Sequence, residues 1–160
     1  MSAGAALAGN GDIEFAWRAA GAAGSLRIPE PVTPGPADGL WRHTCCEAFV
    51  AAVDAAGYRE FNLSPSGQWA TYRFTGYRER DTGWQPEAAP RIALRRRPDG
   101  FELVATISAA LLPAGDAFAV ALTAVTEDAA GDLAYWASAH AGPRPDFHLR
   151  DSFTLRLARP

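Results

Sequence analysis

The chain has 160 residues, 48% hydrophobic and 21% charged, a globular composition at a length that one domain accounts for. Its net charge of −3 excludes a general nucleic-acid binder, which needs a basic surface to displace phosphate counterions. No apolar run approaches the roughly 18 residues of a membrane helix, so no membrane partner is expected.

Residues 1–11, MSAGAALAGNG, are small and lack both the basic start and the apolar stretch of a secretory signal. They predict a flexible N-terminus ahead of one domain over residues 12–160. A cytoplasmic location is expected. All 15 cations are arginine, which together with the abundant Ala, Gly and Pro suggests a GC-rich bacterial source. From Ile13 to Arg18, Ile13, Phe15 and Trp17 alternate with Glu14, Ala16 and Arg18, the mark of a half-buried strand. Extended structure resumes at Ser25–Ile28, and PEPVTPGPADG, residues 29–39, holds too much proline and glycine for a helix or a ladder.

Three strands are then expected between Leu40 and Tyr77. In the first, Trp41, His43, Cys45, Glu47 and Phe49 share one face; the alanines of residues 47–56 also suit a helix, but the alternation favours a strand ended by Gly57. The adjacent Cys45 and Cys46 then point to opposite faces and cannot form a structural disulfide together. The second strand, Tyr58–Ser64, sets Tyr58, Glu60 and Asn62 against Phe61 and Leu63, and the third runs from Trp69 through Tyr72 and Phe74.

Beyond a polar loop at 78–90, Arg91–Arg97 and Phe101–Ser108 read as a hairpin around Pro98-Asp99-Gly100. Ala109–Leu112 allows one helical turn. Phe118–Thr126, FAVALTAVT, is apolar without alternation and implies burial on both faces. Leu133–Ser138 carries Tyr135 and Trp136 on opposite faces, and Ser152–Ala158 turns Phe153, Leu155 and Leu157 inward. Nine or ten short strands without a long amphipathic helix predict an all-β fold, a two-sheet antiparallel β-sandwich.

Several groupings bear on chemistry. His43, Cys45 and Glu47 on one face are possible metal ligands, but a structural site needs a fourth. A Cys–His nucleophile is available in composition, with nothing visible to lower a thiol pKa. Glu47 and Glu60 on neighbouring strands suit either acid–base work or a structural network. No catalytic residue, metal ligand or cofactor is assigned. Carbohydrate binding suits the residue types better, because sugars offer CH faces to rings and hydroxyls to polar groups. The candidate ligand-binding set is Trp41, His43, Glu47, Glu60, Asn62, Trp69, Arg78, Trp136, His140 and His148.

Three stretches, LWRHTCCEAFV, YREFNLSPSGQWATYRFTGYR and AYWASAHAGPRPDFH, resemble the DOMON-like bacterial proteins related to carbohydrate-binding module family nine. Trp41, Thr44, Cys45, Glu47 and Phe49 match the first family motif. Tyr58, Glu60, Phe61, Asn62, Ser64, Pro65, Gly67 and Trp69 match the second, and Tyr135, Trp136, Pro145, Asp146, Phe147 and His148 the last. The resemblance implies a jelly-roll-like sandwich whose relatives bind sugars or haem. Cys46 stands where an aromatic is usual, and Met1 is the sole methionine, so haem ligation would fall to His140 and His148. The reading is a non-catalytic module for a small-molecule or glycan ligand. A haem-binding or redox-associated module is the second reading, and an enzyme using Glu47 and Glu60 the third.

Overall fold

Apolar side chains at every second residue build two sheets that face each other. The computed structural model describes residues 1–22 and 24–159. Strands β1 (Ser2–Leu7), β2 (Ile13–Ala20), β9 (Arg91–Arg97) and β10 (Gly100–Ile107) form one sheet in the order β1-β2-β10-β9. The larger sheet runs β12-β11-β5-β6-β7-β4, from β4 (Gly35–Pro36), β5 (Cys45–Ala52), β6 (Tyr58–Leu63), β7 (Gln68–Gly76), β11 (Ala117–Asp128) and β12 (Leu133–Ala137). Short strands β3 (Leu26–Arg27) and β13 (Leu155–Ala158) add to β11, and β8 (Glu79–Arg80) adds to β7. Pairing is antiparallel except for β4 against β7. The all-β two-sheet sandwich is as the sequence predicts.

Ile13, Phe15 and Trp17 from β2 and Phe101, Leu103 and Ile107 from β10 meet Val50, Phe61, Leu63 and Leu122 of the large sheet in the inter-sheet core. Each buried Phe or Leu there contributes roughly 1.5–3 kcal/mol. A second cluster lies on the opposite, outer face of the large sheet, built on Phe49, Tyr58, Tyr72 and Phe74 and covered by Phe153 and Phe147 from the segment between β12 and β13. With both faces covered, all eight residues of β5 and nearly all of β11 are buried, which explains the unbroken apolar run.

Some expectations are corrected. Ser2–Leu7, read as part of a flexible N-terminus, is strand β1, in register with β2 from Ser2↔Arg18 to Leu7↔Ile13. Its small residues give no alternation to read, but they pair well and let Ala5 and Leu7 reach the core. Leu40–Arg42 is a 3-10 turn rather than the start of a strand. Gly39, at φ 76°, turns the chain there, and the ladder begins only after Thr44, whose hydroxyl donates to the Arg27 carbonyl and accepts from the Glu127 amide. Phe153 belongs to the outer cluster, while Leu155 and Leu157 pack on the inter-sheet core.

Candidate functional site

Register decides which polar side chains meet. Across β11, β5, β6 and β7 the outer face places Thr123, Glu47, Asn62 and Ala70 directly opposite one another in a row, and Ala121, Phe49, Glu60 and Tyr72 in the next. Glu47 and Glu60 are therefore diagonal neighbours on adjacent strands. Asn62 donates to Glu60 Oε1 at 2.7 Å. Yet Glu47 Oε1, Asn62 Oδ1 and Thr123 Oγ1 are buried with no hydrogen-bond partner among the described residues. Leaving such groups unpaired costs on the order of 1–3 kcal/mol each, so three in one row is unusual for a purely structural face.

The segment after β12 covers this face. His148 Nδ1 lies 2.7 Å from Tyr58 Oη, which also accepts the Arg78 amide at 3.2 Å. With Tyr58 donating to Nδ1, the imidazole proton sits on Nε2, which faces Glu60 Oε2 at 3.8 Å. Asp146 fastens the segment, accepting from Tyr77 Oη at 2.5 Å, Arg78 at 2.8 Å and the His148 amide at 3.1 Å. These bonds outweigh burial and hold its carboxyl below the usual range. Arg78 adopts the left-handed region, φ 58°, to bring its amide and guanidinium to these two partners.

Two clefts flank the loop over residues 37–42. One, of about 250 Å³, reaches the sheet at Ala70 and Tyr72 and is bordered by Asp38 and Arg80. The other, of about 500 Å³, reaches Ser64 and Gln68 beneath Leu40 and Arg42. Trp41, within that loop, is 40% exposed, its ring edge-on to Tyr72 at 6.3 Å. Arg80 covers Tyr72, its guanidinium 4.0 Å from the ring centroid.

Of the residues predicted from sequence, the structure thus brings together Trp41, Glu47, Glu60, Asn62, Arg78 and His148. It separates the others. His43 does not share the Glu47 row: it follows the 3-10 turn and pairs with Glu127 at 2.7 Å. Trp69 lies on the inner side of β7, opposite Leu63, where it packs on the inter-sheet core and also lines the first cleft. Trp136 sits opposite Ala124 on the inner side of β12, its indole donating to Thr126 Oγ1. His140 rests near the Phe147 ring, 6.4 Å between centroids. Thr123, Tyr58 and Tyr72 complete the constellation but were not singled out as site residues.

The electrostatics follow from burial. Desolvation, with the neighbouring Glu60 second, pushes the Glu47 carboxyl well up. Desolvation also carries Glu60 to about 7 against the hydrogen bond from Asn62, and takes His148 down to about 4. At 3.8 Å the two could form an ion pair, but burial drives each toward its neutral form.

The consequence for stability has a definite sign. Glu47 and Glu60 hold protons more tightly folded than unfolded, so their contribution is complete below the unfolded value near 4.5 and is lost as pH rises. For Glu60 the loss spans about 4.5 to 7 and reaches at most about 3 kcal/mol. His148 runs oppositely, with stability lost as pH falls from 6.5 toward 4. Two carboxyls outweigh one imidazole, and the melting temperature of the ligand-free protein is expected to fall between pH 5 and pH 8. Thermal melts of Glu47→Gln should show a shallower fall; an unchanged slope would mean that Glu47 does not remain protonated in the folded state.

No protein-family model matches the chain, and no curated protein matches it. Among solved structures it is similar to a candidate carbohydrate-binding protein of Bacteroides uniformis, with a TM-score of 0.61 and 18% identity over 92% of this chain and 72% of that one. At that identity the likeness is one of fold.

Proposed function

We propose that this protein is a non-catalytic ligand-binding module and that its ligand is a carbohydrate. The observation that carries the reading is the row of buried, unpartnered oxygens on Thr123, Glu47 and Asn62, beside the rings of Tyr72 and Trp41. Hydroxyl groups would satisfy those oxygens, and the exposed ring of Trp41 suits a sugar's CH face. The motif resemblance to carbohydrate-binding module family nine and the fold of the Bacteroides protein support the same reading. Glu60 spends one oxygen on Asn62 and turns the other to His148, so the two glutamates do not present two free carboxyls to a substrate. Haem does not fit the histidines: both nitrogens of His148 face protein groups, and His140 lies against Phe147 outside the row.

A glycan array followed by calorimetric titration tests this. Glu60→Gln and Asn62→Ala are each expected to weaken binding by about 1–3 kcal/mol with the fold retained, since each leaves a buried partner unpaired. If both lower the melting temperature by many degrees while affinity stays the same, the row is a structural network and the site lies elsewhere.

A further inference from the structure

The three unpartnered oxygens differ in what surrounds them. Glu60 has Asn62 as a donor and lies within electrostatic reach of Arg78 and Arg80. Glu47 has neither: it is 3% exposed, no arginine or histidine acts on it, and the charge nearest it is the second carboxyl, Glu60. Beside it, Asn62 donates one amide N–H to Glu60 and leaves its oxygen free to accept. Thr123, on the other side, can accept as well.

Glu47 is thus a buried acid flanked by acceptors in a protein that elsewhere gives its buried or half-buried carboxylates cations. Glu127 has Arg27 and His43, Asp81 has Arg73, and Asp146 has Arg78. An isolated carboxylate and a row of acceptors are complementary to a group that only donates and carries positive charge. An alkylammonium is such a group, with three N–H donors and no acceptor.

Resting on the carbohydrate reading above, we infer that the ligand is an amino sugar whose free ammonium is seated against Glu47 and Asn62. Ala70, directly opposite Asn62, lines the first cleft; Asn62 and Glu47 lie one and two strands farther in, buried behind its wall, so seating the ammonium requires that wall to give way. Asp38 at the cleft mouth offsets Arg80 for an incoming cation.

Binding of the ammonium converts a protonated Glu47 into a carboxylate, and the displaced proton passes to solvent. The other ionisable groups around the row are Glu60, His148 and Cys45 from the sheet and its cover, with Arg78, Arg80 and Asp38 at the rim.

The test is calorimetric titration with two matched series: glucosamine, glucose and N-acetylglucosamine, and galactosamine, galactose and N-acetylgalactosamine. In at least one series the free amine is expected to bind tenfold or more tightly than both partners. Repeating it in buffers of different ionisation enthalpy should show net proton release for the amine and none for the neutral sugars. Glu47→Gln should bring the affinity of the free amine level with that of the neutral sugars, whatever it does to their own affinity. If neutral sugars bind as well as amines, or Glu47→Gln keeps the preference, the ammonium assignment falls and the carbohydrate reading stands. If no sugar of either series binds, both fall. Should Glu47→Gln fail to fold, the wild-type comparison of amine, neutral and acetylated sugars decides alone.

Discussion

Truncating Phe49 to alanine is expected to cost about 3–5 kcal/mol of folding stability, the range for removing a buried aromatic from a packed core. Phe49 is fully buried on the outer side of β5, with ring centroids of His148 at 5.1 Å, Phe153 at 5.9 Å, Tyr58 at 6.3 Å and Phe147 at 6.5 Å. Three of those four rings belong to the covering segment, and the fourth, Tyr58, is its anchor on the sheet beneath. The cavity left by alanine therefore lies at the joint between sheet and cover. For a chain of this size the loss corresponds to a fall of roughly 6–20 °C in melting temperature. Phe49→Leu, which keeps most of the volume, should cost less than half as much. A loss under about 1 kcal/mol for the alanine variant would show that the segment does not pack on β5 in solution.

Gly100→Ala is expected to be comparably damaging for a different reason. Gly100 begins β10 at φ 151°, and a Cβ there would lie 2.1 Å from the Ala19 carbonyl oxygen and 2.9 Å from its carbon. Those are backbone atoms of the paired strand β2 and cannot rotate away. Relief requires β2 and β10 to part where Gly100 pairs with Ala20, next to the buried Phe101. Conformational strain and overpacking each cost about 1–3 kcal/mol, so a loss on the order of 2–6 kcal/mol is expected by urea denaturation. Gly4→Ala is the control: nothing lies within 4 Å of its added methyl, and it should stay within about 0.5 kcal/mol of wild type. Equal effects at the two positions would contradict the β2–β10 register.

Much of this arrangement is legible in the residues. Alternation over Tyr58–Ser64 puts Tyr58, Glu60 and Asn62 on one face, and continuing it backward through β5 adds Glu47, as found. The same parity, applied to β7, sets Trp69 apart from Tyr72 and Phe74, on the side that packs on the inter-sheet core. Trp136 could not be resolved that way, since its face depends on the register with β11, which only tertiary pairing supplies. Trp41 and His43 were drawn into a strand because alternation continues across Gly39–Thr44, but one left-handed glycine and one buried threonine hydroxyl end the ladder there. Thr123 was hidden within an apolar run. Its significance comes from the glutamate it stands opposite, which is 76 residues away in sequence.

The large sheet ends differently on its two sides. One margin is β4, two residues within Pro34-Gly35-Pro36, and a proline nitrogen has no hydrogen to offer another strand. The other is β12, where Leu133, Tyr135 and Trp136 are exposed and no proline interrupts the backbone. A strand added beside β12 meets no proline, whereas one added beside β4 does. Two copies joined at β12 about a twofold axis would be closed by their own symmetry and would stop at two.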